Sequence, residues 1–406
     1  MRRRTIIATA AVAAAGPLLA ACQREGKVLW KAPSEMDRIG PPSLTITPVT
    51  DASDVSPREP VTVTAVNATL ESVALGIEGG ASVAGELDAG RTTWRSSEPL
   101  AYGKSYRVTA RGMGANGKPV EQTVVFKTVK PAATTSVNFQ ANSLTALHNG
   151  DEYGVAQVVI VRFGQTPADR QAALAAIKVT SEPAVEGRWY WVDSRTAHYR
   201  PENFWAKGTK VTASAQLYGV HLGKGVYGAQ DKSVSFSIGA SRIAIADNAT
   251  HYMRILVDGE QVKNVPISMG KNGYVVTSDG SKVYFPTRSG THVVMTREPT
   301  VRMTSASYGV IDPNDPNFYD ETISLCCRIS YSGEFVHSAP WSVWAQGKQN
   351  VSHGCINVGP DNAQWFFDNF RLGDPVIVQG TGRPQAIGDS AGAVWDVPWA
   401  QMIPAA

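Results

Sequence analysis

The chain has 406 residues, of which 43% are apolar and 18% are charged, and it contains 37 glycines and 24 prolines. This length allows about two to four domains, and the low charge with many turn-forming residues excludes a long coiled coil and a charge-rich disordered chain. The net charge of +3 comes from Arg2, Arg3 and Arg4, because the rest of the chain has 35 basic and 35 acidic residues. We therefore expect no binding to nucleic acid.

The first 21 residues have the pattern of an export signal. Arg2, Arg3 and Arg4 precede a short apolar run that ends in Leu-Ala-Ala before Cys22, and such a run is typical of a signal peptide rather than a stable membrane span. The pattern resembles the lipobox of bacterial lipoproteins. This resemblance implies that Cys22 becomes a lipidated N-terminus and that the exported protein is anchored to the outer face of the cytoplasmic membrane, facing the cell wall. A plain secretory signal or an uncleaved anchor remains the alternative.

Residues 22–43 carry charged residues and three prolines without a period, and we interpret them as a tether. From residue 44 to 130 the chain has short runs of alternating apolar and polar residues separated by turns, for example at 44–47, 106–110 and 124–127. About seven such runs in this length predict an immunoglobulin-like β-sandwich.

Residues 131–250 repeat this pattern. Residues 92–110 align with 197–215 at a constant offset of 105 residues. The aligned pairs are alike in character, and they are Trp94 with Tyr199, Arg95 with Arg200, Leu100 with Trp205, and Gly103 with Gly208. The repeat predicts a second immunoglobulin-like domain, which contains one short helix over 167–177 with Pro167 at its start.

The third region, residues 251–378, predicts strands, one helix and a closing strand. The predicted strands are 252–257, 261–268, 274–277, 292–295 and 376–378, and Asp258-Gly259 is typical of a hairpin turn. A helix is expected from Pro360 to a point before Gly373. The last segment, 379–406, holds Trp395 and Trp399, so we expect it to dock on a folded domain. The predicted fold class is mainly β.

The candidate catalytic residues lie in and before one hexapeptide, Ser352-His353-Gly354-Cys355-Ile356-Asn357. His337 lies before it, with fourteen residues in between. A cysteine with a separate histidine is the minimum for catalysis by a thiolate. Gly354 permits close approach of a substrate backbone, and its N–H and that of Cys355 can point at a developing oxyanion. The residues therefore predict acyl transfer by a Cys–His pair, without naming the substrate.

This constellation resembles the signature of L,D-transpeptidases with the YkuD-type catalytic domain. The flanking segments 329–344 (ISYSGEFVHSAPWSVW) and 362–367 (NAQWFF) carry the same resemblance, which covers residues of about 250–378. The lipobox and the two preceding domains resemble the multidomain mycobacterial lipoproteins of this family. The implied fold is thus two tandem immunoglobulin-like β-sandwiches followed by a β-rich catalytic domain with one main helix.

The resemblance also implies roles for individual residues. Cys355 would be the acyl-accepting nucleophile and His337 the general base, with the carbonyl of Ser338 orienting its ring. His353 and Gly354 would supply site geometry and oxyanion donors. The implied substrate-binding residues are Tyr319, Ser332, Gly333 and Asn357 in the pocket, and Met303, Tyr308 and Trp341 on the lid above it.

The implied reaction is peptidoglycan cross-linking. The enzyme would attack the bond between diaminopimelate and D-Ala of a tetrapeptide stem, release D-Ala, and pass the acyl group to the diaminopimelate amine of a second stem. Carbapenem β-lactams would acylate the same cysteine. Two alternatives stay open: an L,D-carboxypeptidase, in which water resolves the thioester, and a non-catalytic adaptor that binds the wall.

The other thiols and imidazoles predict no further chemistry. Alternation along 322–331 places Cys327 in the core and Cys326 partly exposed toward the pocket, with no catalytic role expected for either. A vicinal disulfide, or a redox link to Cys355, is the alternative for this pair. The remaining histidines lack metal-ligand spacing, and we expect no metal site and no cofactor. They are His148, His198, His221, His251 and His292.

Overall fold

The structure is a computed structural model, and it describes residues 40–277 and 280–405. The predicted signal peptide, the predicted lipidation site Cys22 and most of the predicted tether lie outside the described residues. Within the described ranges, no helix has both the length and the apolar character needed to cross a membrane.

The first domain is a sandwich of two four-stranded sheets, with strand orders β1-β2-β6-β5 and β4-β3-β7-β8. Its strands are β1 (Ser43–Thr47), β2 (Thr62–Val66), β3 (Ala68–Ile77), β4 (Ser82–Val83), β5 (Gly85–Leu87), β6 (Thr93–Ser96), β7 (Ser105–Gly114) and β8 (Pro119–Lys127). Alternate residues of β7, including Tyr106, Val108 and Ala110, are buried between the sheets. This period of two is the pattern that predicted a sandwich.

The second domain pairs a six-stranded sheet, ordered β11-β10-β13-β16-β15-β31, with a four-stranded sheet, ordered β12-β19-β17-β14. Its strands are β9 (Ala133–Thr135), β10 (Val137–Asn142), β11 (Thr145–Ala146), β12 (Glu152–Tyr153), β13 (Val159–Phe163), β14 (Ile177–Glu182), β15 (Gly187–Trp191), β16 (Thr196–Pro201), β17 (Lys210–Ala215), β18 (Val226–Gly228) and β19 (Lys232–Ile238), with β31 (Ile403–Pro404) arriving from the C-terminal segment. Two tandem sandwiches confirm the predicted fold class.

The one helix of the second domain, α1 (Arg170–Ala175), is shorter than the predicted 167–177. Asp169 caps it by accepting a hydrogen bond from the N–H of Ala172 at 2.9 Å, so Pro167 lies before the helix rather than in its first turn. Ile177 already begins β14, because its backbone pairs with Ala215.

The 105-residue repeat corresponds to equivalent structure. β7 begins at Ser105 and β17 at Lys210, and both are preceded by a glycine in the left-handed region, Gly103 (φ 62°) and Gly208 (φ 81°). Five residues before each strand, Leu100 and Trp205 are buried in the two cores. The residues that match in this internal repeat therefore mark the turn glycine and the buried core position that both sandwiches need.

The third domain is built on a nine-stranded sheet with the order β25-β30-β20-β21-β22-β29-β28-β27-β26, beside a small β23-β24 hairpin. Its strands are β20 (Arg242–Asp247), β21 (Tyr252–Val257), β22 (Glu260–Ser268), β23 (Tyr274–Val276), β24 (Lys282–Tyr284), β25 (Gly290–Val293), β26 (Thr296–Thr304), β27 (Asp320–Arg328), β28 (Phe335–Ser338), β29 (Ile356–Val358) and β30 (Pro375–Gln379). Asp258 and Gly259 form the β21–β22 turn, as predicted.

The boundary predicted at 250/251 is wrong. The predicted range 131–250 places strand β20 in the second domain, yet it pairs with β21 and, in parallel, with β30 inside the sheet of the third domain. The partner β30 lies about 130 residues further along the chain, so the local alternation of β20 gave no indication of which sheet it joins.

Helix α2 (Pro360–Asn369) covers one face of this sheet. Ala363, Phe366 and Phe370 are buried in the same core cluster as sheet residues such as Ile356. Pro360 opens the helix at a position where its missing N–H costs nothing, so the predicted helix is found close to its predicted limits.

The C-terminal segment packs between the second and third domains. It forms two 3-10 helices, Ala391–Asp396 and Trp399–Gln401, before β31 pairs with β15. Val394 and Met402 share a core cluster with Val158 of the second domain and Met295 of the third. The two tryptophans thus mark a docked segment, and it joins two domains rather than one.

Arg200 of β16 is the main polar anchor of this segment. It is 3% exposed and donates hydrogen bonds to the carbonyl oxygens of Val394 (3.0 Å) and Val397 (2.7 Å). Its guanidinium also lies 4.9 Å from the ring of Trp395. We expect Arg200→Ala to lower the free energy of unfolding by about 3 kcal/mol or more, because it orphans buried carbonyls, and thermal melting will measure the loss.

The repeat supplies a matched control for this experiment. Arg95 is the equivalent residue of the first domain and is exposed, so Arg95→Ala is expected to change stability by no more than about 0.5 kcal/mol. Equal losses in the two variants would contradict an anchoring role for Arg200.

Candidate active site

Two neighbouring parallel strands position the residues of the predicted site. β28 and β29 pair with His337 opposite Asn357 and Val336 opposite Ile356. Cys355 directly precedes β29 and so lies level with Phe335, two residues before His337, which places the thiol and the imidazole on neighbouring strands. Fourteen intervening residues suffice for the loop that makes this parallel connection.

The loop that carries Cys355 is held by hydrogen bonds within the loop and by one from Thr287. The hydroxyl of Ser352 donates to the carbonyl of Cys355 at 2.6 Å, and Thr287 Oγ1 donates to the carbonyl of Gly354 at 2.8 Å. The N–H of Gly354 donates to Ser352 Oγ at 3.1 Å. Gly354 was predicted to offer this N–H to an oxyanion, but in the structure the loop itself uses it. The φ of 138° at Gly354 explains why glycine is needed here.

His337 is buried, with 4% of its surface exposed. Its Nδ1 lies 2.9 Å from the carbonyl oxygen of Ser338. Because a carbonyl can only accept, Nδ1 carries the proton and Nε2 keeps its lone pair. Burial lowers the pKa of His337 to about 4, outweighing the opposite effect of the Ser338 carbonyl. At neutral pH the imidazole is therefore an uncharged proton acceptor.

Cys355 is a free, partly exposed cysteine whose thiol is a neutral donor. Burial raises the pKa of the thiol to about 12, although the backbone N–H of Phe335 acts in the opposite direction. The thiol donates to the carbonyl of Gly333 at 3.7 Å. The pair is thus a thiol and a neutral imidazole, so attack by sulfur requires proton transfer to a base.

Two cavities meet at Cys355. The smaller, of about 290 Å³, brings together seven of the predicted site residues, namely Met303, Tyr319, His337, Trp341, His353, Cys355 and Asn357. The larger, of about 550 Å³, adds Tyr308, Ser332, Gly333 and Gly354, and shares Met303, Tyr319, His353 and Cys355 with the first. Ser338 contributes through its carbonyl to the imidazole of His337.

A long hairpin covers both cavities. Strand β26 carries Met303 and leads to a 3-10 turn, Ser305–Tyr308, at the tip of the hairpin, and β27 is the returning strand. At the tip Val310 and Tyr308 pack against Val275 and Phe285, which belong to the β23–β24 hairpin and the residues after it. The cavities therefore lie beneath a roof formed by two hairpins in apolar contact.

Trp341 and Asn357 line the smaller cavity and link the turn after β28 to strands β28 and β29. The Trp341 ring is half exposed and stacks on His337 with 6.0 Å between ring centroids. Asn357 donates to Ser342 Oγ at 3.0 Å, which ties the turn that carries Trp341 to β29.

His353 and Tyr319 form the wall that the two cavities share. Their rings lie 5.2 Å apart, and His353 also contacts Phe285. Burial, with a contribution from Lys271, lowers the pKa of His353 to about 4. Burial raises the pKa of Tyr319, so its phenol stays protonated and can donate a hydrogen bond. Both side chains are therefore neutral near the thiol.

The prediction for Cys326 is wrong in one respect. Cys326 and Cys327 are both fully buried, and both are free thiols rather than a vicinal disulfide. Cys326 packs with Ile323 and against Cys355, whereas Leu325 and Cys327 face the main core. Leu325 adopts a positive φ of 56°, and this break shifts the strict alternation that the sequence pattern assumed.

Several residues of the site were missed by the sequence reasoning. Thr287 holds the loop of Cys355, and Arg288, Glu334 and Arg383 line the larger cavity. Glu334 could have been noticed, since a carboxylate lies three residues before His337 in the segment 329–344 that carries the family resemblance. Arg383 had no local signal, because it belongs to the C-terminal segment.

The comparisons with known proteins agree with this geometry. A family model described as an L,D-transpeptidase catalytic domain matches residues 241–378, and one described as a bacterial Ig domain matches residues 52–221. The first of these begins at β20, in agreement with the corrected boundary.

Two relatives from Mycobacterium tuberculosis match most of the chain. L,D-transpeptidase 2 is 39% identical over 360 residues, covering 89% of this chain and 84% of the relative. L,D-transpeptidase 5 is 33% identical over 363 residues, covering 88% and 75%. A solved structure of L,D-transpeptidase LdtMt1 in complex with imipenem aligns with 33% identity and a TM-score of 0.48, covering 60% of this chain and 99% of that one. The sequence matches show that the chain belongs to the L,D-transpeptidase family.

Proposed function

We propose that this protein is a peptidoglycan L,D-transpeptidase that uses Cys355 as its nucleophile. The observation that carries the proposal is the placement of Cys355 and the neutral imidazole of His337 on one cavity wall, beneath a roof of two hairpins. The substrates are peptidoglycan stem peptides, and family membership supports this choice.

In the acylation step, His337 Nε2 accepts the thiol proton as sulfur attacks the carbonyl carbon of the diaminopimelate–D-Ala bond. The same proton then passes to the nitrogen of D-Ala, the C–N bond breaks, and a thioester remains on Cys355. The Ser338 carbonyl keeps the required tautomer throughout. The N–H of Cys355 and the phenol of Tyr319 are the donors we assign to the oxyanion.

In the transfer step, the diaminopimelate amine of a second stem attacks the thioester carbon. The C–S bond breaks, and the amine proton returns to sulfur through His337. The two cavities that meet at Cys355 suit this sequence, because donor and acceptor must reach the same carbonyl carbon from different sides. A 3-3 cross-link and a regenerated thiol result.

Carbapenem β-lactams would acylate Cys355 in place of the stem, since their strained amide is an acyl donor of the same kind. We further propose that the protein is exported and anchored to the outer face of the cytoplasmic membrane through lipidated Cys22. The two immunoglobulin-like domains would then hold the catalytic domain away from the membrane. The lipobox-like Leu-Ala-Ala-Cys sequence supports this placement.

The nature of the product separates transfer from hydrolysis. We expect purified protein incubated with a disaccharide tetrapeptide to yield mainly cross-linked dimer and free D-Ala, as seen by mass spectrometry, because the two cavities that meet at Cys355 give the acceptor stem its own access to the thioester. A product that is only tripeptide would identify an L,D-carboxypeptidase instead. Recovery of unchanged tetrapeptide, with binding to peptidoglycan retained, would favour the adaptor.

A further inference from the structure

The larger cavity has a wall of charged side chains that the acylation step does not use. Arg288, Arg302, Arg328, Glu334 and Arg383 line it, together with Cys355 itself. Asp389 lies next to Arg288, with an oxygen 3.3 Å from Arg288 Nη1, whereas Arg302 and Arg328 pair with Asp320 and Glu298. The lining is therefore rich in arginine, and Glu334 is its one carboxylate among the described residues.

Glu334 is the unusual member of this wall. It is 4% exposed, and its Oε1 accepts hydrogen bonds from the backbone N–H of Arg288 (2.9 Å) and from Arg288 Nη1 (3.4 Å). Its other oxygen, Oε2, is buried and finds no partner among the described residues. An unpaired buried carboxylate oxygen is costly, which indicates a place for a hydrogen-bond donor or a cation from outside the protein.

The position of Glu334 brings its side chain close to the loop that carries the reacting sulfur. The preceding residue, Gly333, accepts the hydrogen bond of the Cys355 thiol. A Cβ atom placed on Gly354 would lie 3.8 Å from the Cγ of Glu334, so the two loops are in contact. A cation on Glu334 would therefore lie beside the thioester.

Arg383 supplies the positive group. Its Nη1 donates to the carbonyl oxygens of Tyr284 (2.7 Å) and Pro286 (2.9 Å), which fixes the guanidinium against the β24 strand. A guanidinium has five N–H donors in a fixed plane and suits a carboxylate. Arg288 is less suited, because Glu334 and Asp389 already pair with it.

We propose that Glu334 and Arg383 form the acceptor subsite, which recognises an α-amino acid end as a zwitterion. Glu334 binds the ammonium group and accepts one of its protons, which leaves the neutral amine that attacks the thioester, and Arg383 binds the carboxylate on the same carbon. The D-centre of diaminopimelate carries both groups. This inference rests on the proposed function and adds to it the recognition of the second substrate.

The test separates transfer from acylation by using Glu334→Gln. The amide keeps the Oε1 contacts with Arg288 but removes the charge. We expect acylation by meropenem or by a donor tetrapeptide to stay within about twofold of wild type, while transfer to a diaminopimelate tripeptide falls about 10- to 100-fold, since hydrogen bonds to charged groups are worth that much. The acceptor KM is expected to account for most of the change.

Hydroxylamine and Glu298→Gln are the controls. Hydroxylamine is uncharged at neutral pH, so its attack on the acyl-enzyme should not depend on Glu334. Glu298→Gln makes the same exchange at a carboxylate that pairs with Arg328 and is not among the described residues that line the cavity. It is expected to leave transfer to the tripeptide unchanged.

Arg383→Met tests the other half of the subsite. It should slow transfer to the tripeptide by about tenfold or more while sparing cadaverine, a diamine without a carboxylate. Equal transfer rates in Glu334→Gln and wild type would overturn the subsite, and so would equal losses with hydroxylamine or in Glu298→Gln. A wild-type protein that forms no acyl-enzyme would instead overturn the proposed function, and the subsite with it.

Discussion

Replacement of Cys355 by alanine is expected to remove all acylation of the protein. Wild type mixed with meropenem should gain the mass of one carbapenem, whereas Cys355→Ala should gain none. The loss in turnover of stem peptide should be about 10⁴-fold or more, because removing a nucleophile eliminates the covalent route. Intact-mass spectrometry measures the adduct, and peptide mapping locates it.

Cys326→Ala is the matched control, because it removes a neighbouring buried thiol that packs against Cys355. Burial raises the pKa of Cys326 to about 12, and its thiol donates to the carbonyl of Ile323 at 3.4 Å rather than facing a base. We expect this variant to keep the one-to-one adduct. If Cys355→Ala still formed the adduct and Cys326→Ala did not, the nucleophile would be Cys326 and not Cys355.

Replacement of His337 by glutamine is expected to slow acylation by about 10²- to 10⁴-fold, the range for losing a general base. The thiol of Cys355 needs an acceptor for its proton, since burial raises its pKa to about 12. The rate of meropenem acylation under single-turnover conditions measures this loss. His148→Gln is the control, because His148 is exposed in the second domain.

The neutral pair of His337 and Cys355 predicts an unusual pH dependence of the acylation rate of the wild-type protein. Burial lowers the pKa of His337 to about 4, whereas a solvated imidazole titrates near 6.5. A protonated His337 cannot accept the thiol proton, so the acylation rate should stay level through neutral pH and fall only as the pH drops through about 4. An acid limb near pH 6.5, absent in His337→Gln, would contradict the neutral pair and indicate a better solvated imidazole.

Local sequence patterns determined most of the elements of this protein. Alternation with a period of two predicted the sandwiches, Asp258-Gly259 predicted a hairpin, and Pro360 predicted the start of the longest helix among the described residues, because each depends on residues close together in the chain. The spacing of His337 and Cys355 indicated the candidate chemistry, since one connection of fourteen residues brings their two strands side by side.

Contacts between distant residues decided the rest. β20 joins the third domain because it pairs with β30, and Cys326 is buried because Ile323, Phe335 and Cys355 pack against it. Neither effect has a local signature. The larger cavity likewise gains Arg383 only after the C-terminal segment has docked on two domains. The sequence thus determined the strands and the reacting pair, whereas the tertiary structure decided which charges surround that pair, because burial and pairing depend on the whole fold.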